Sequence, residues 1–471
     1  MSFLSRDRSV AKPGFSRWLV PPAALAVHLS IGQIYAYSVF SGPMHQLVGV
    51  SEPATGDWSI ATIGWIFTIA IAVLGAAAAI FGKWLERVGP RMAMFVSACC
   101  FGGGFLVAAY GVSVHNIWIV FLGNGVLGGI GLGLGYISPV STLIKWFPDR
   151  PGLATGMAIM GFGGGAMIAS PLSIGLMNRF ATATSVGVAP TLFTMGIIYF
   201  VFMMFGVFTV RVPPENWKPA GYVAPTTSKK LITNANVDAD TAVRTPQFWL
   251  LFAVLCLNVT AGIGVLGQAS VMIQEMFSEA SVGQAAAVTA AAAAGFVGLL
   301  SLFNMAGRFF WASVSDYIGR KNTYSIFFIL GAVLYFLVPT FGNQGNVFLF
   351  VASFCVILTM YGGGFATIPA YLRDLFGTLQ VGAIHGRLLL AWSVAAVVGP
   401  VLINYIRQGQ INSGVPAAQA YSVTMYIMAG LLVVGFICNL LVREVDSRFH
   451  AEESKATSPR VPATTGSVRE A

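Results

Sequence analysis

The stretch LFNMAGRFFWASVSDYIGRK, residues 302–321, holds one permanent cation, Arg308, in an apolar run with no carboxylate before Asp316. A guanidinium presents a planar fork of donors that fits a carboxylate bidentately. Inside a bilayer it is costly unless it is paired, bound to a ligand, or led back to water along its own aliphatic stem. All 17 Asp and Glu residues fall in loops, tails or the ends of apolar runs, so no internal counterion is expected. Two alternatives follow. Arg308 binds an anion, or it snorkels to the polar loop one turn away. Depth does not separate them, because the apolar stretch 283–315 exceeds one bilayer crossing.

Other residues bear on the same chemistry. Asn304, one turn before Arg308, is spaced to orient it by a side-chain hydrogen bond. The segment GQIYAYSVF carries Gln33, Tyr35 and Tyr37, which either bond a carboxylate or wall a cavity. His28 is read as the one residue inside a span that titrates near neutral pH, as a structural polar group or a proton carrier. His385 and Arg387 begin the eleventh apolar run and are expected to line the inner mouth or anchor that helix. The five cysteines lie in apolar runs without metal-ligand spacing. With no catalytic triad or paired carboxylates either, no enzyme, metal or cofactor is expected. The run GNGVLGGIGLGLG (123–135) lacks the preceding strand and following Lys-Ser/Thr of a phosphate loop. Together with GFGGGAMIAS (161–170) it reads as close helix contact, and Pro171 and Pro400 are expected to end helices 5 and 11.

These residues need a membrane framework. The 471-residue chain is 56% hydrophobic and 9% charged, with a mean hydropathy of +0.76. Soluble domains carry roughly 25% charged residues, so the composition indicates an integral, all-α membrane protein. Twelve spans are expected near 18–41, 58–82, 92–111, 116–144, 153–177, 190–210, 247–271, 284–311, 322–341, 347–370, 383–406 and 419–442. The polar, Pro-containing segment 211–246 divides them six and six. The expected organisation is an N-terminal segment 1–17, a bundle 18–210, the linker 211–246, a bundle 247–442 and a disordered tail 443–471. The start of the chain shows no cleavage site, so the first apolar run is taken as a span. Of the 26 Lys and Arg, 22 fall on the side of the termini, the linker and the even-numbered loops. That bias places both termini in the cytoplasm, of a bacterial inner membrane or a plasma membrane alike. The net charge of +9 is therefore a topology signal and not a sign of nucleic acid as partner.

The chain also repeats itself. GKWLERVGPR (82–91) and ASVSDYIGRK (312–321) lie 230 residues apart. At that offset Glu86 meets Asp316, Gly89 meets Gly319 and Arg91 meets Lys321. Gly32 meets Gly262, Pro139 meets Pro369 and Gly156 meets Gly386. Two parallel repeats of six helices form a known transporter pattern. On these residues the chain resembles the major facilitator superfamily, whose signature loop has the form G-x-x-x-D-x-x-G-R-[RK]. The resemblance implies two pseudo-symmetric six-helix bundles that rock about a central site. It also implies a gating role for Glu86, Arg87, Arg91, Asp316 and Arg320. Physically, the loop acids are suited to accept hydrogen bonds from helix N-termini.

The stretches at 135–166, 361–377 and 382–400 resemble the oxalate/formate antiporter family, which carries oxalate, formate and monocarboxylates. The resemblance implies that Arg308 binds the anion. It also implies an aromatic cage from Tyr136, Tyr361 and Phe365, with packing or an interfacial belt as the alternative for each ring. Where that family has a lysine on helix 11, this chain has Trp392. One fixed cation beside an indole suits a monoanion with an apolar body. The expected protein is a transporter of small monocarboxylates, monomeric in the lipid bilayer, working by exchange or facilitated passage, with His28-linked proton symport left open. Rival expectations are a dicarboxylate exchanger using Arg308 with Arg387, and a non-transporting sensor on the same fold. The sugar-carrier signature PESPR is absent, and the helix 5 motif of drug exporters is not matched.

Overall fold

The computed structural model describes residues 3–451 except 216, 220, 223–230, 234 and 284–286. Twelve helices are long and apolar enough to cross a membrane. They are α1 (Arg17–Met44), α2 (Ile60–Val88), α3 (Pro90–Ser113), α4 (Ile117–Trp146), α5 (Pro151–Phe180) and α6 (Val188–Thr209). The second set is α7 (Pro246–Met276), α8 (Ala290–Ile318), α9 (Arg320–Asn343), α10 (Val347–Phe376), α11 (Val381–Asn412) and α12 (Ser422–Leu441). The start of the expected eighth span and residues 452–471 of the expected tail lie outside the described residues.

Local chemistry sets many of the ends. Proline opens α3, α5 and α7, where its missing N–H leaves no bond unmade. Side chains of Ser59, Thr245, Thr289 and Asn346 cap α2, α7, α8 and α10. Pro171 does not end its helix, contrary to expectation. It lies inside α5, which continues to Phe180, just as α11 continues past position 400 to Asn412.

Two spans depart from α-geometry where they face the interior. Gly32–Phe40 of α1 is a 3-10 helix, and Phe121–Leu127 of α4 is a π-helix. Such segments are common at functional positions. Close approach explains the glycines there. A Cβ on Gly32 would lie 2.3 Å from the Phe162 carbonyl oxygen.

The repeated motif forms single-residue junctions instead of extended loops. Gly89 (φ 86°) joins α2 to α3 and Gly319 (φ 87°) joins α8 to α9, both in backbone that favours glycine. Glu86 and Asp316 sit one turn earlier, on the helices. Asp316 accepts from the N–H groups of Gly152 and Leu153, 2.8 Å each, at the start of α5. Glu86 accepts from the N–H of Gly382, 3.2 Å, at the start of α11. Gly152 and Gly382 obey the 230-residue offset too. Each half therefore sends one acid to a helix N-terminus of the other half, where the helix dipole favours it.

The remaining gate candidates divide. Arg320 holds Asp316 at 2.6 Å and Asp374 at 3.1 Å, and so braces the Asp316 side. Arg87 is exposed and makes no bond among the described residues. Arg91 is buried and donates to the carbonyls of Phe3, Arg8 and Val210, all in the first half. Its role in the structure is to tie down the N-terminal segment, not to bridge the halves.

The linker adds a strap. Asp240 pairs with Lys83 of α2 and, at 2.5 Å, with Arg387 of α11. The hydrogen bonds from Lys83 and then Arg387 hold its carboxyl down to about 2. A depressed carboxylate loses its contribution only as pH falls through that value, so the strap keeps its charge across the neutral range. Among the described residues, every hydrogen bond between the halves lies between this basic face and the level of Tyr35 and Ser393.

Removing Asp316 should therefore loosen the basic face. Spin labels at cysteines replacing Arg87 and Leu379, both exposed, in a background with the five native cysteines changed to alanine, report the gap. In Asp316→Ala the distance distribution is expected to shift to longer values. A purely topological charge would leave it unchanged.

Candidate functional site

Arg308 lies on α8 and is 0% exposed, so its charge does not snorkel to the surface. Its Nε donates to Asn304 Oδ1 at 3.2 Å, one turn back on the same helix. Nη1 and Nη2 have no hydrogen-bond partner among the described residues, and no carboxylate there pairs with Arg308. Aromatic faces take the place of a counterion. The guanidinium carbon is 5.3 Å from the Phe365 ring centre, 5.5 Å from Phe162 and 6.0 Å from Tyr35. Each such contact contributes about 0.5–2 kcal/mol, less than a buried cation needs.

Glycines make room for the cation. A Cβ on Gly163 of α5 would lie 3.1 Å from Arg308 Nε, and one on Gly362 of α10 would lie 3.1 Å from its Cγ. Arg308 is thus held between a helix of the first half and one of its own half.

The rings close into a cage. Trp392 of α11 lies 4.5 Å from Phe365, 5.5 Å from Phe162 and 5.6 Å from Tyr136 between centres. Tyr35 stands edge-on to Phe162 at 5.1 Å. The Tyr35 and Tyr361 hydroxyls meet at 3.2 Å and link α1 to α10 across the halves. The Tyr136 hydroxyl and Trp392 Nε1 are buried without a partner among the described residues. The unpartnered groups around Arg308 thus include four donors, two guanidinium nitrogens, a phenol and an indole. That set suits an acceptor-only group such as a carboxylate.

The candidates fall into clear groups. Arg308, Asn304, Tyr35, Tyr136, Tyr361, Phe365 and Trp392 come together. Gln33 is buried and its amide is unpartnered among the described residues. Tyr37 is engaged elsewhere, accepting from Asn124 in the π-helical turn of α4 at 2.9 Å. Arg387 points to the linker strap and not to the cage. The expectation for His385 is a mouth residue or a helix anchor, and the side chain is buried. It is 2% exposed, with its ring 5.9 Å from Tyr136, so His28 is not the one histidine inside a span. Phe162 was not legible as a site residue. The signal available was a single large side chain among the glycines of GFGGG.

The arrangement defines a class: a multi-pass membrane carrier, with the buried candidate site between two helical bundles. A model of the Major Facilitator Superfamily matches residues 14–303 and 293–470, and the chain belongs to that superfamily. It is a transporter and not an enzyme. It is 27% identical over 390 residues to the oxalate:formate antiporter of Oxalobacter formigenes, covering 82% of this chain and 83% of that one. It is 23% identical over 381 residues to apicoplast pyruvate carrier 1 of Toxoplasma gondii, covering 68% and 65%. The solved proton:xylose symporter XylE shares the fold, with a TM-score of 0.70 at 14% identity, over 91% of this chain and 96% of that one.

Asn304→Asp would place a fixed carboxylate beside Arg308 on the same helix face. The variant is expected to melt at a higher temperature in detergent than the parent. Asn304→Ala, which strips the guanidinium of its hydrogen bond, is expected to lose about 1–3 kcal/mol of stability. Equal melting of all three would mean that Arg308 carries no uncompensated charge.

Proposed function

We propose that the protein transports small monocarboxylates of the pyruvate, lactate or formate type by alternating access. The supporting observation is the pair of unpartnered Arg308 nitrogens inside a cage of six aromatic rings. A carboxylate would accept both nitrogens bidentately, and the rings would take a short apolar body. The names of the two relatives point to the same substrate class. The dicarboxylate alternative that used Arg387 loses support, since that side chain is held by Asp240 and the Ala239 carbonyl.

In this reading the carboxylate enters from the face opposite the basic one and neutralises Arg308. The Asp316 and Glu86 links then release, and the halves rock to expose the site on the basic side. The charge bias of the loops supports a cytoplasmic position for that side, the linker and both termini. With the site between halves of one chain, a monomer is sufficient. Exchange fits the charge argument, because a site emptied of anion leaves the cation unpaired during its return.

Uptake of labelled pyruvate, lactate and formate into proteoliposomes tests this. Uptake is expected to rise when the lumen is loaded with the same anion. Arg308→Ala is expected to cut it by about two orders of magnitude, from loss of a buried charge-assisted pair, and Arg308→Lys to restore little of it. Uptake that survives in Arg308→Ala would remove the proposed role.

A further inference from the structure

Two buried histidines flank the cage. His28 stacks on Tyr136 with ring centres 5.3 Å apart and planes 29° apart. His385 approaches the same tyrosine at 5.9 Å. His28 Nε2 lies 3.2 Å from the Tyr136 carbonyl, which can only accept, so Nε2 carries the proton and Nδ1 a lone pair in the neutral ring. That Nδ1 and His385 Nε2 are buried and unpartnered among the described residues. Both rings therefore keep a nitrogen free beside a site built around one fixed cation.

The groups facing the pair can be named. Tyr136 of α4 is approached by both rings. Phe162 of α5 lies 6.4 Å from the His28 ring and 5.5 Å from the Arg308 guanidinium carbon. Against α11, α2 brings Glu86 and Lys83 toward the basic end, already held by Lys145 with the Gly382 N–H and by Asp240. No carboxylate contacts either ring among the described residues.

We propose that the histidine pair holds one titratable proton as the site's second positive charge, so that a dianionic dicarboxylate is carried with one proton and a monocarboxylate with none. This rests on the anion-carrier reading above. The charge balance is simple. Arg308 with a monoanion sums to zero, and a further buried proton would leave an uncompensated positive charge. Arg308 with a dianion sums to minus one, and one proton returns it to zero. Two protons on neighbouring rings would repel, so the pair shares a single one. The proton comes from water on the side from which the dianion enters and leaves with the dianion on the other.

The test is oxalate uptake into proteoliposomes loaded with pyruvate, at two pH values on either side of the ordinary imidazole value of about 6.5. Inward oxalate with one proton against outward pyruvate moves no net charge. The expected result is uptake that is faster at the lower pH, insensitive to an imposed membrane potential, and accompanied by external alkalinisation of one proton per oxalate. Pyruvate–pyruvate exchange is expected to move no proton. In the His28→Gln/His385→Gln double variant the ratio of oxalate to pyruvate uptake is expected to fall about tenfold, one pH unit's worth of protonation. Oxalate uptake driven by potential without a proton, or an unchanged ratio, would overturn the proposal, and the wild-type proton count decides the matter even if the variant misfolds. Pyruvate exchange with no oxalate uptake would overturn the proton site alone. Failure of both anions would overturn the carrier reading itself.

Discussion

A permanent cation buried without a counterion is unstable by itself, and much of the protein's interior is arranged around that fact. The head of Arg308 does not reach the surface. One amide oxygen and three aromatic faces compensate it in part. An internal Asp or Glu would compensate it fully and would then compete with any anion for the same two nitrogens. The interior instead uses rings and glycines, which shape the site without answering its charge. The shortfall in compensation is what an anionic ligand can supply.

The links between the halves are of a kind that can break and re-form. They are made at the basic side by single carboxylates against helix N-termini, and not by a large interlocked core. Glu86 and Asp316 occupy equivalent positions, each with a cation beside it, Lys145 and Arg320, but Asp316 has two backbone donors and Glu86 one. The Tyr35–Tyr361 contact is a further link between the halves, made by two rings of the cage itself. Glycine seams along α5 and α8 let backbones lie close enough for small rotations to matter. Gly152 and Gly156 both abut Ala312.

Much of this was legible in the sequence. Spans are announced by long apolar runs, because lipid leaves no other way to satisfy the backbone. The 230-residue offset exposed the duplicated architecture and led to the two acids. Asn304 was readable from helical spacing. What was not readable depended on packing between distant segments. The depth of Arg308 is set by Phe162 and Gly163 from the other half. His385 begins an apolar run and reads as a mouth residue or a helix anchor; its burial depends on α2 and α4, which cover that end of α11. Arg91 shares the motif's spacing with Lys321, yet it turns inward to three carbonyls that only the folded N-terminal segment brings near.

The central claim is that Arg308 is the anion's partner. An experimental structure of the protein with a bound carboxylate, such as pyruvate, tests it most directly. The account predicts carboxylate density at hydrogen-bond distance from both Nη1 and Nη2 of Arg308, inside the cage of Phe162, Phe365 and Trp392. Density confined to Arg387, Lys83 or the basic surface, with Arg308 unliganded or paired with a protein carboxylate, would contradict it.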